Sequence, residues 1–233
     1  MNAERAKNHT AVMLRHFTVM HRQGRQCRDI VSDVGLRVAS GECFGLSGPS
    51  GSGKTALLWA LAGLNPYWSG QMTLLGRSMA PGRAFTGELR HQVQMVFQDA
   101  YASLHPRHNV RRALTEPLRR RHQTHLDERI AQGIAQVGLS PAVLARYPHQ
   151  LSDGQRQCVA LIRALLQEPA LLLLDDPTYT LDMASQARVL NLLNVWRREA
   201  SLTIMLVSHD KDVMAHMCDR SAVMMEGRLL SGG

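Results

Sequence analysis

The residues with the clearest capacity for chemistry form one short loop. Its members are Gly48, Pro49, Ser50, Gly51, Ser52, Gly53, Lys54 and Thr55. They fit the pattern G-x-x-x-x-G-K-[ST], in which glycines let backbone N–H groups approach phosphate oxygens. We expect Lys54 to reach the terminal phosphates of a nucleotide and Thr55 to bind Mg²⁺. The alternative interpretation is a chance turn rich in glycine and serine. A second nucleotide motif further along the chain makes that interpretation improbable.

An acidic pair follows a run of four leucines further along the chain. Residues 171–174 are all leucine, and Asp175 and Asp176 come directly after them. This pattern predicts a buried strand that delivers a carboxylate to the edge of a sheet, where Asp175 would hold Mg²⁺ directly or through water. A solvated turn would explain the acidic pair alone, but its combination with the phosphate loop favours nucleotide binding.

Four further motifs complete a set whose order along the chain is specific. They are Gln98, residues 151–157 (LSDGQRQ), residues 180–182 (TLD) and His209. Together with the phosphate loop and the acidic strand, they resemble the ABC-transporter ATPases, whose signature is LSGGQ, and the resemblance covers nearly the whole chain. It implies that two nucleotide-binding domains pair head to tail, with each ATP held between the phosphate loop of one and the signature of the other.

The resemblance also implies roles for individual residues. Besides the loop itself, those expected to contact ATP are Ser152, Gly154, Gln155 and Asp182. Those expected to act in hydrolysis are Asp176, His209 and Gln98. The expected Mg²⁺ ligands are Thr55, Gln98 and Asp175. An aromatic side chain stacks on adenine in this family; Phe17 is the nearest match, and a core position in a β-sheet is the alternative.

Two residues depart from the family pattern. Asp176 replaces a glutamate that orients or deprotonates the attacking water, and its carboxylate is set back by about 1.5 Å, which predicts slow but not absent hydrolysis. Asp153 replaces the first glycine of the signature. Ser152 and Gln155 fit a capping box, which puts Asp153 in the first turn of a helix. Its carboxylate would repel the γ-phosphate of the neighbouring site unless it points outward, as we expect.

Residues 94–107 and 116–118 resemble the "QMVFQ…SLNPR…EPL" run of the oligopeptide, dipeptide and nickel importer ATPases. The resemblance implies import of small peptides, nickel or another metal complex, at the cytoplasmic face of the inner membrane. It also implies permease subunits, which we expect to dock on residues 101–117, and an extracytoplasmic solute-binding protein. A second, different ATPase subunit is favoured over a homodimer. The alternatives are a soluble ABC-type ATPase outside transport, and a subunit that mainly binds ATP and gates; a DNA-repair ATPase is disfavoured because no long coiled-coil insertion interrupts the motifs.

Composition supports one cytosolic unit of 233 residues, 45% of them apolar, with no expected secretory signal or membrane span. The formal charge of +8 includes arginine runs at 111–112 and 119–121, which we interpret as solvated helix faces, and no nucleic acid partner is expected.

Five histidines in one region are interpreted as surface residues and not as metal ligands. They are His105, His108, His122, His125 and His149. Cysteines at 27, 43, 158 and 218 contain no C-x-x-C pair, which disfavours a zinc site or a disulfide framework.

Strand and helix patterns alternate, which predicts a mostly parallel sheet. The predicted strands are 12–19, 30–38, 42–46, 71–75, 93–97, 171–174, 202–207 and a final one at 222–226. The predicted helices are 55–61 and 185–200, with further helical periodicity over 100–164. The expected fold is an α/β P-loop NTPase with a RecA-like core and an antiparallel β subdomain, in residues 1–98 and 165–233. A helical subdomain carrying the signature is expected in residues 99–164.

Overall fold

Two β-sheets and a group of helices make up the computed structural model, which describes residues 9–23, 26–121 and 125–230. The strands are β1 (Thr10–Gln23), β2 (Gln26–Ala39), β3 (Cys43–Ser47), β4 (Trp68–Leu74), β5 (Arg77–Met79), β6 (Val93–Val96), β7 (Leu171–Asp175), β8 (Thr203–Val207), β9 (Arg220–Met225) and β10 (Arg228–Leu230). The α-helices are α1 (Lys54–Leu61), α2 (Glu88–Gln92), α3 (Val110–Thr115), α4 (Leu126–Gln136), α5 (Asp153–Leu165), α6 (Met183–Ala200) and α7 (Lys211–Met217). Short 3₁₀ turns cover Ala100–Ser103, Glu116–Arg121, Pro141–Ala145 and Pro148–Gln150.

The larger sheet has the strand order β10-β9-β3-β8-β7-β6. Its strands β9, β3, β8, β7 and β6 run parallel, and only β10 is antiparallel, at the edge. The predicted mostly parallel sheet is therefore confirmed. Because the carboxyl ends of parallel strands share one edge of the sheet, the segments that follow β3, β6 and β7 meet there. The smaller sheet, β2-β1-β4-β5, is antiparallel throughout.

Strand β7 explains why a run of leucines carries the acidic pair. Successive side chains of a strand point to opposite faces, and β7 is buried on both of them. Leu172 and Leu174 pack into the core shared with α3, α4 and α5. Leu171 and Leu173 pack into the core shared with α1 and the smaller sheet. Every position of the strand before Asp175 therefore requires an apolar side chain.

The helices α3, α4 and α5 all lie between β6 and β7, where the change in composition predicted them. Four short elements were not predicted: β5, α2, α7 and β10 have three, five, seven and three residues, too few for a clear periodic pattern. The strand predicted at 222–226 is present as β9, but it is not the final one, because β10 follows and pairs with it. Both β1 and β2 are longer than predicted, since their polar ends continue the same ladder.

Candidate functional site

The loop between β3 and α1 has a backbone that only glycine can follow at two positions. Gly48 has a φ of 137°, and a Cβ there would lie 2.1 Å from the carbonyl oxygen of Met224. Gly53 has a φ of 105°, and a Cβ there would lie 2.9 Å from the carbonyl oxygen of Ile30. The loop is therefore packed tightly against β2 and β9, and it leads into the start of α1, where the first backbone N–H groups of a helix have no intrahelical partner and suit an anion.

Lys54, the first residue of α1, folds its side chain back over this loop. Its Nζ atom donates to the carbonyl oxygens of Gly48 and Pro49, at 2.8 Å each. The residue is only 5% exposed, and burial lowers the pKa of its ammonium while Asp175 and Asp176 oppose that shift. An ammonium in this position can exchange carbonyl oxygens for phosphate oxygens without leaving the loop.

Asp175 lies at the end of β7 and is 5% exposed. Burial raises the pKa of its carboxyl group, whereas a hydrogen bond from Thr55 and the charge of Lys54 lower it. The structure thus brings the hydroxyl of Thr55 and the carboxylate of Asp175 together, and oxygen ligands of this kind suit Mg²⁺. Gln98 is exposed two residues beyond the end of β6, at the same edge of the sheet.

Asp176 and His209 form a second polar pair beside the loop. One carboxylate oxygen of Asp176 accepts a hydrogen bond from the backbone N–H of His209 at 3.3 Å, and the other lies 3.5 Å from its Nε2 atom. The Asp176 side chain is 8% exposed and that of His209 is 53% exposed. Asp176 has a φ of 47°, a left-handed conformation that aspartate tolerates better than most residues. The pair has the chemistry to hold or deprotonate a water molecule.

The capping box predicted for the signature is confirmed at the start of α5. Ser152 Oγ accepts from the N–H of Gln155, and Gln155 Oε1 accepts from the N–H of Ser152, both at 3.2 Å. Asp153 is 71% exposed at its side chain and forms an ion pair with Arg156 on the same helix. A Cβ on Gly154 would lie 3.1 Å from the Thr180 carbonyl oxygen, so a larger residue there would press on the segment before α6.

Two side chains of α5 to which the motifs assigned no role bind this helix to the segment around Gln98. Gln157 is 3% exposed and donates to the carbonyl oxygen of Phe97 at 3.2 Å. Arg163 donates to the carbonyl oxygen of Ser103 at 3.0 Å. The signal was available in the sequence, because Gln157 is a polar residue on the apolar face of an amphipathic helix.

The prediction that Phe17 stacks on adenine is wrong. Phe17 is fully buried and packs against Trp68, with ring centroids 5.3 Å apart, so its face is not available to a nucleotide. Two rings, those of His21 and Trp59, line the pocket of about 290 Å³ beside Lys54 and Thr55. His21 is exposed and lies further along the same strand, β1. Counting only Phe, Tyr and Trp as stacking residues concealed it.

The remaining candidates have simpler surroundings. Asp182 caps α6 by accepting a hydrogen bond from the N–H of Ser185 at 2.7 Å, which lowers the pKa of its carboxyl group. His105 stacks on His108 at 4.2 Å, and His122 lies outside the described residues.

In the parts of the chain that the structure describes, no three His, Cys, Asp or Glu side chains form a metal-binding group. Within the same residues, no helix combines the length and apolar character needed to cross a bilayer.

The phosphate loop between a parallel strand and a helix, beside an aspartate at the end of a second parallel strand, defines the class of P-loop NTPases. The family model described as ABC transporter matches residues 31–179, and the chain belongs to this family. A solved structure described as a dimeric, post-hydrolysis state of the ATP-binding cassette MJ0796 bound to ADP and Pi is similar, with a TM-score of 0.85 and 25% identity over 94% of this chain and 97% of that one. The predicted fold, a RecA-like α/β core with an antiparallel β subdomain and a helical subdomain, is confirmed.

Two curated relatives resemble this chain over most of its length. The oligopeptide transport ATP-binding protein OppF of Salmonella typhimurium is 38% identical over 208 residues, which cover 87% of this chain and 62% of that protein. A putative peptide import ATP-binding protein of Brucella abortus is 36% identical over 232 residues, which cover 95% of this chain and 68% of that protein. The chain therefore spans less than two thirds of the length of OppF.

Proposed function

We propose that this chain binds MgATP at the loop between β3 and α1 and hydrolyses it. One observation carries the proposal: the neighbouring residues Lys54 and Thr55 meet Asp175, which is distant from them in sequence, at one edge of the larger sheet. An ammonium beside hydroxyl and carboxylate oxygens matches the needs of a nucleotide phosphate and its Mg²⁺ ion. Membership of the ABC transporter family supports the same assignment.

The side chains at this edge have separate proposed tasks in binding. Lys54 exchanges the loop carbonyl oxygens for oxygens of the terminal phosphates, while backbone N–H groups of residues 50–53 hold the others. Thr55 and Asp175 are the proposed ligands of Mg²⁺, with Gln98 completing the set. The ion offsets the phosphate charge when it is bound.

Asp176 and His209 have the proposed task of handling the attacking water. The backbone N–H of His209 fixes one carboxylate oxygen of Asp176, and the other oxygen lies 3.5 Å from the imidazole Nε2 atom. Asp176 would orient or deprotonate the water. Because its side chain is shorter than that of the glutamate common in this family, we expect slow hydrolysis.

The base of the nucleotide has a proposed site beside α1. The pocket of about 290 Å³ is lined by His21, Ile30 and Trp59 together with Lys54 and Thr55. An imidazole ring offers a flat face on which any purine can stack. We therefore assign the stacking task to His21 in place of Phe17.

The site is proposed to be completed by a second ATPase subunit. The residues proposed to contact ATP on the partner's loop are Ser152, Gly154, Gln155 and Asp182. The dimeric state of the similar MJ0796 cassette supports this pairing. We favour a different partner chain, because Asp176 and Asp153 then fall in separate sites, whereas a homodimer places both in every site. Sedimentation of the ATP-bound chain, alone and with its co-purified partner, distinguishes the two arrangements.

We further propose that ATP-driven closure powers import across a membrane at whose cytoplasmic face the chain is bound. Residues 99–164 would act as a helical subdomain that transmits motion, because Gln157 ties α5 to Phe97, next to Gln98. Residues 101–117 are the proposed contact with permease subunits, and Tyr101 within them is 46% exposed. A small peptide, delivered by an extracytoplasmic solute-binding protein, is the favoured cargo because both curated relatives carry peptide-transport names; nickel or another metal complex is the alternative from sequence resemblance.

ATP turnover by the chain co-purified with its membrane partners tests the proposal. Turnover that requires the permease and disappears in Lys54→Ala supports an importer motor. A second candidate, a subunit that binds ATP and gates with little hydrolysis, is favoured specifically by Asp176. It predicts ATP binding with negligible turnover in the unaltered chain, even with the permease present. If the chain is instead a soluble ABC-type ATPase, ATP turnover should not require a permease.

A further inference from the structure

Two cysteines that are far apart in sequence meet where β3, the strand that leads into the phosphate loop, contacts the end of α7. The Sγ atoms of Cys43 and Cys218 lie 3.9 Å apart, and the thiol of Cys43 donates to the sulfur of Cys218. The Sδ atom of Met214 lies 3.9 Å from Cys218 Sγ. The two thiols are therefore in direct contact and are not joined covalently.

The main chain holds this pair in position. The N–H of Cys43 donates to the Asp219 carboxylate at 2.8 Å, and the N–H of Asp219 donates to the Cys43 carbonyl oxygen at 2.9 Å. Gly45 leaves the space that the sulfur occupies, because a Cβ there would lie 2.8 Å from Cys218 Sγ. Since the backbones are bonded one residue away from Cys218, a small movement with side-chain rotation can bring the sulfurs to the covalent distance of about 2.05 Å.

The two thiols differ in access and acidity. Cys43 is fully buried, whereas Cys218 is partly exposed and lines a cavity of about 690 Å³ together with His209. The hydrogen bond from Cys43 lowers the pKa of Cys218, and the same bond together with burial raises the pKa of Cys43. One thiol is therefore both reachable and the more acidic, and the other is held behind it.

We propose that Cys218 and Cys43 form an oxidisable dithiol site for hydroperoxides, with Cys218 as the attacking cysteine and Cys43 as the resolving one. The Cys218 thiolate attacks one peroxide oxygen, an S–O bond forms, the O–O bond breaks, and the second oxygen leaves with a proton as water or an alcohol. Cys43 then attacks the sulfenic sulfur, an S–S bond forms, the S–O bond breaks, and hydroxide leaves as water with the Cys43 proton. The sulfurs together lose two electrons and the peroxide gains them.

The disulfide would join two elements of the nucleotide site. The sulfurs approach by roughly 1.9 Å, from 3.9 Å to about 2.05 Å. Cys43 lies in β3, which is held between β8 and β9, so the movement falls on Cys218 at the end of α7. Helix α7 begins at Lys211, shortly after His209. Oxidation would therefore tie the strand that enters the phosphate loop to the helix that follows His209.

Peptide mapping of the whole chain tests this site. The protein is treated with hydrogen peroxide, denatured with an alkylating reagent that blocks remaining thiols, and digested for mass spectrometry. We expect a Cys43–Cys218 linked peptide that is lighter by two hydrogens and is restored by dithiothreitol. Cys158 is the internal control, because burial raises its pKa to about 11; Cys218 should be consumed at least about tenfold faster.

Two variants separate the roles of the thiols. Cys43→Ala should stop the reaction at the Cys218 sulfenic acid, which dimedone traps, and Cys218→Ser should leave Cys43 unmodified. The proposal is overturned if Cys218 in the unaltered chain is oxidised no faster than Cys158. It is also overturned if Cys218 proceeds to the sulfinic acid while Cys43 remains a free thiol. Both of these outcomes are read in the unaltered protein and do not depend on a variant that folds.

Discussion

Lengthening the side chain at position 176 should accelerate ATP turnover. The substitution Asp176→Glu moves the carboxylate about 1.5 Å further from the backbone, towards the region that Asp176 shares with His209. A misplacement of roughly 1 Å costs about a hundredfold in rate. We therefore expect turnover to rise by up to about a hundredfold, equivalent to about 2.7 kcal/mol in the activation barrier.

The same change should have a cost in stability. Asp176 has a φ of 47°, a conformation that aspartate tolerates better than most residues, and its carboxylate accepts a hydrogen bond from the His209 N–H. A glutamate in that conformation is strained by roughly 1–2 kcal/mol. The variant should therefore hydrolyse faster while its free energy of unfolding falls, a combination that separates positioning of the carboxylate from general stabilisation.

The assay is phosphate release by the complex with its membrane partners, at saturating ATP. Asp176→Asn is the matched control, since it keeps the length and removes the charge, and its turnover should fall below that of the unaltered chain. Denaturant unfolding of each purified chain gives the stability arm. Equal turnover in the unaltered chain and in Asp176→Glu would refute the reasoning, because the set-back of the carboxylate would then have no catalytic consequence.

Three further changes have defined outcomes. Ser152→Ala removes the acceptor for the Gln155 N–H and should lower the free energy of unfolding by about 1 kcal/mol, measured in urea; Ser152→Asn should not. His21→Ala should weaken ATP binding about tenfold through lost stacking, measured with a fluorescent nucleotide, while Phe17→Leu leaves the affinity unchanged. Asp153→Gly should leave ATP-driven dimerisation almost unchanged in sedimentation experiments, and a large gain would show that the carboxylate faces the neighbouring phosphate.

The parallel sheet was predictable because each of its strands except the edge strand β10 carries a strong local pattern. Leucines at 171–174 need two buried faces, and the structure provides both. The glycine pattern of residues 48–53 likewise has a local cause in the backbone φ values of Gly48 and Gly53. The edge strand β10 has three residues and draws its stability from pairing with β9, which no local pattern records.

The site residues that belong to sequence motifs were predictable. Those whose orientation or contacts depend on how the elements pack were not. Phe17 and His21 lie on the same strand, and only the bulged pairing of β1 determines that the phenyl ring faces the core. Gln157 has no motif role, and its bond to Phe97 depends on how α5 packs against β6. The contact between Cys43 and Cys218 is a third case, since it follows from the pairing of β3 with β9.

ATP hydrolysis by the purified complex, compared with Lys54→Ala, tests the central claim most directly. Lys54 is the ammonium that we expect to transfer from the carbonyl oxygens of Gly48 and Pro49 to the nucleotide phosphates. The account predicts measurable turnover in the unaltered complex and loss of turnover in Lys54→Ala, with the fold intact by circular dichroism. Turnover that persists in Lys54→Ala would show that this loop is not the site of hydrolysis.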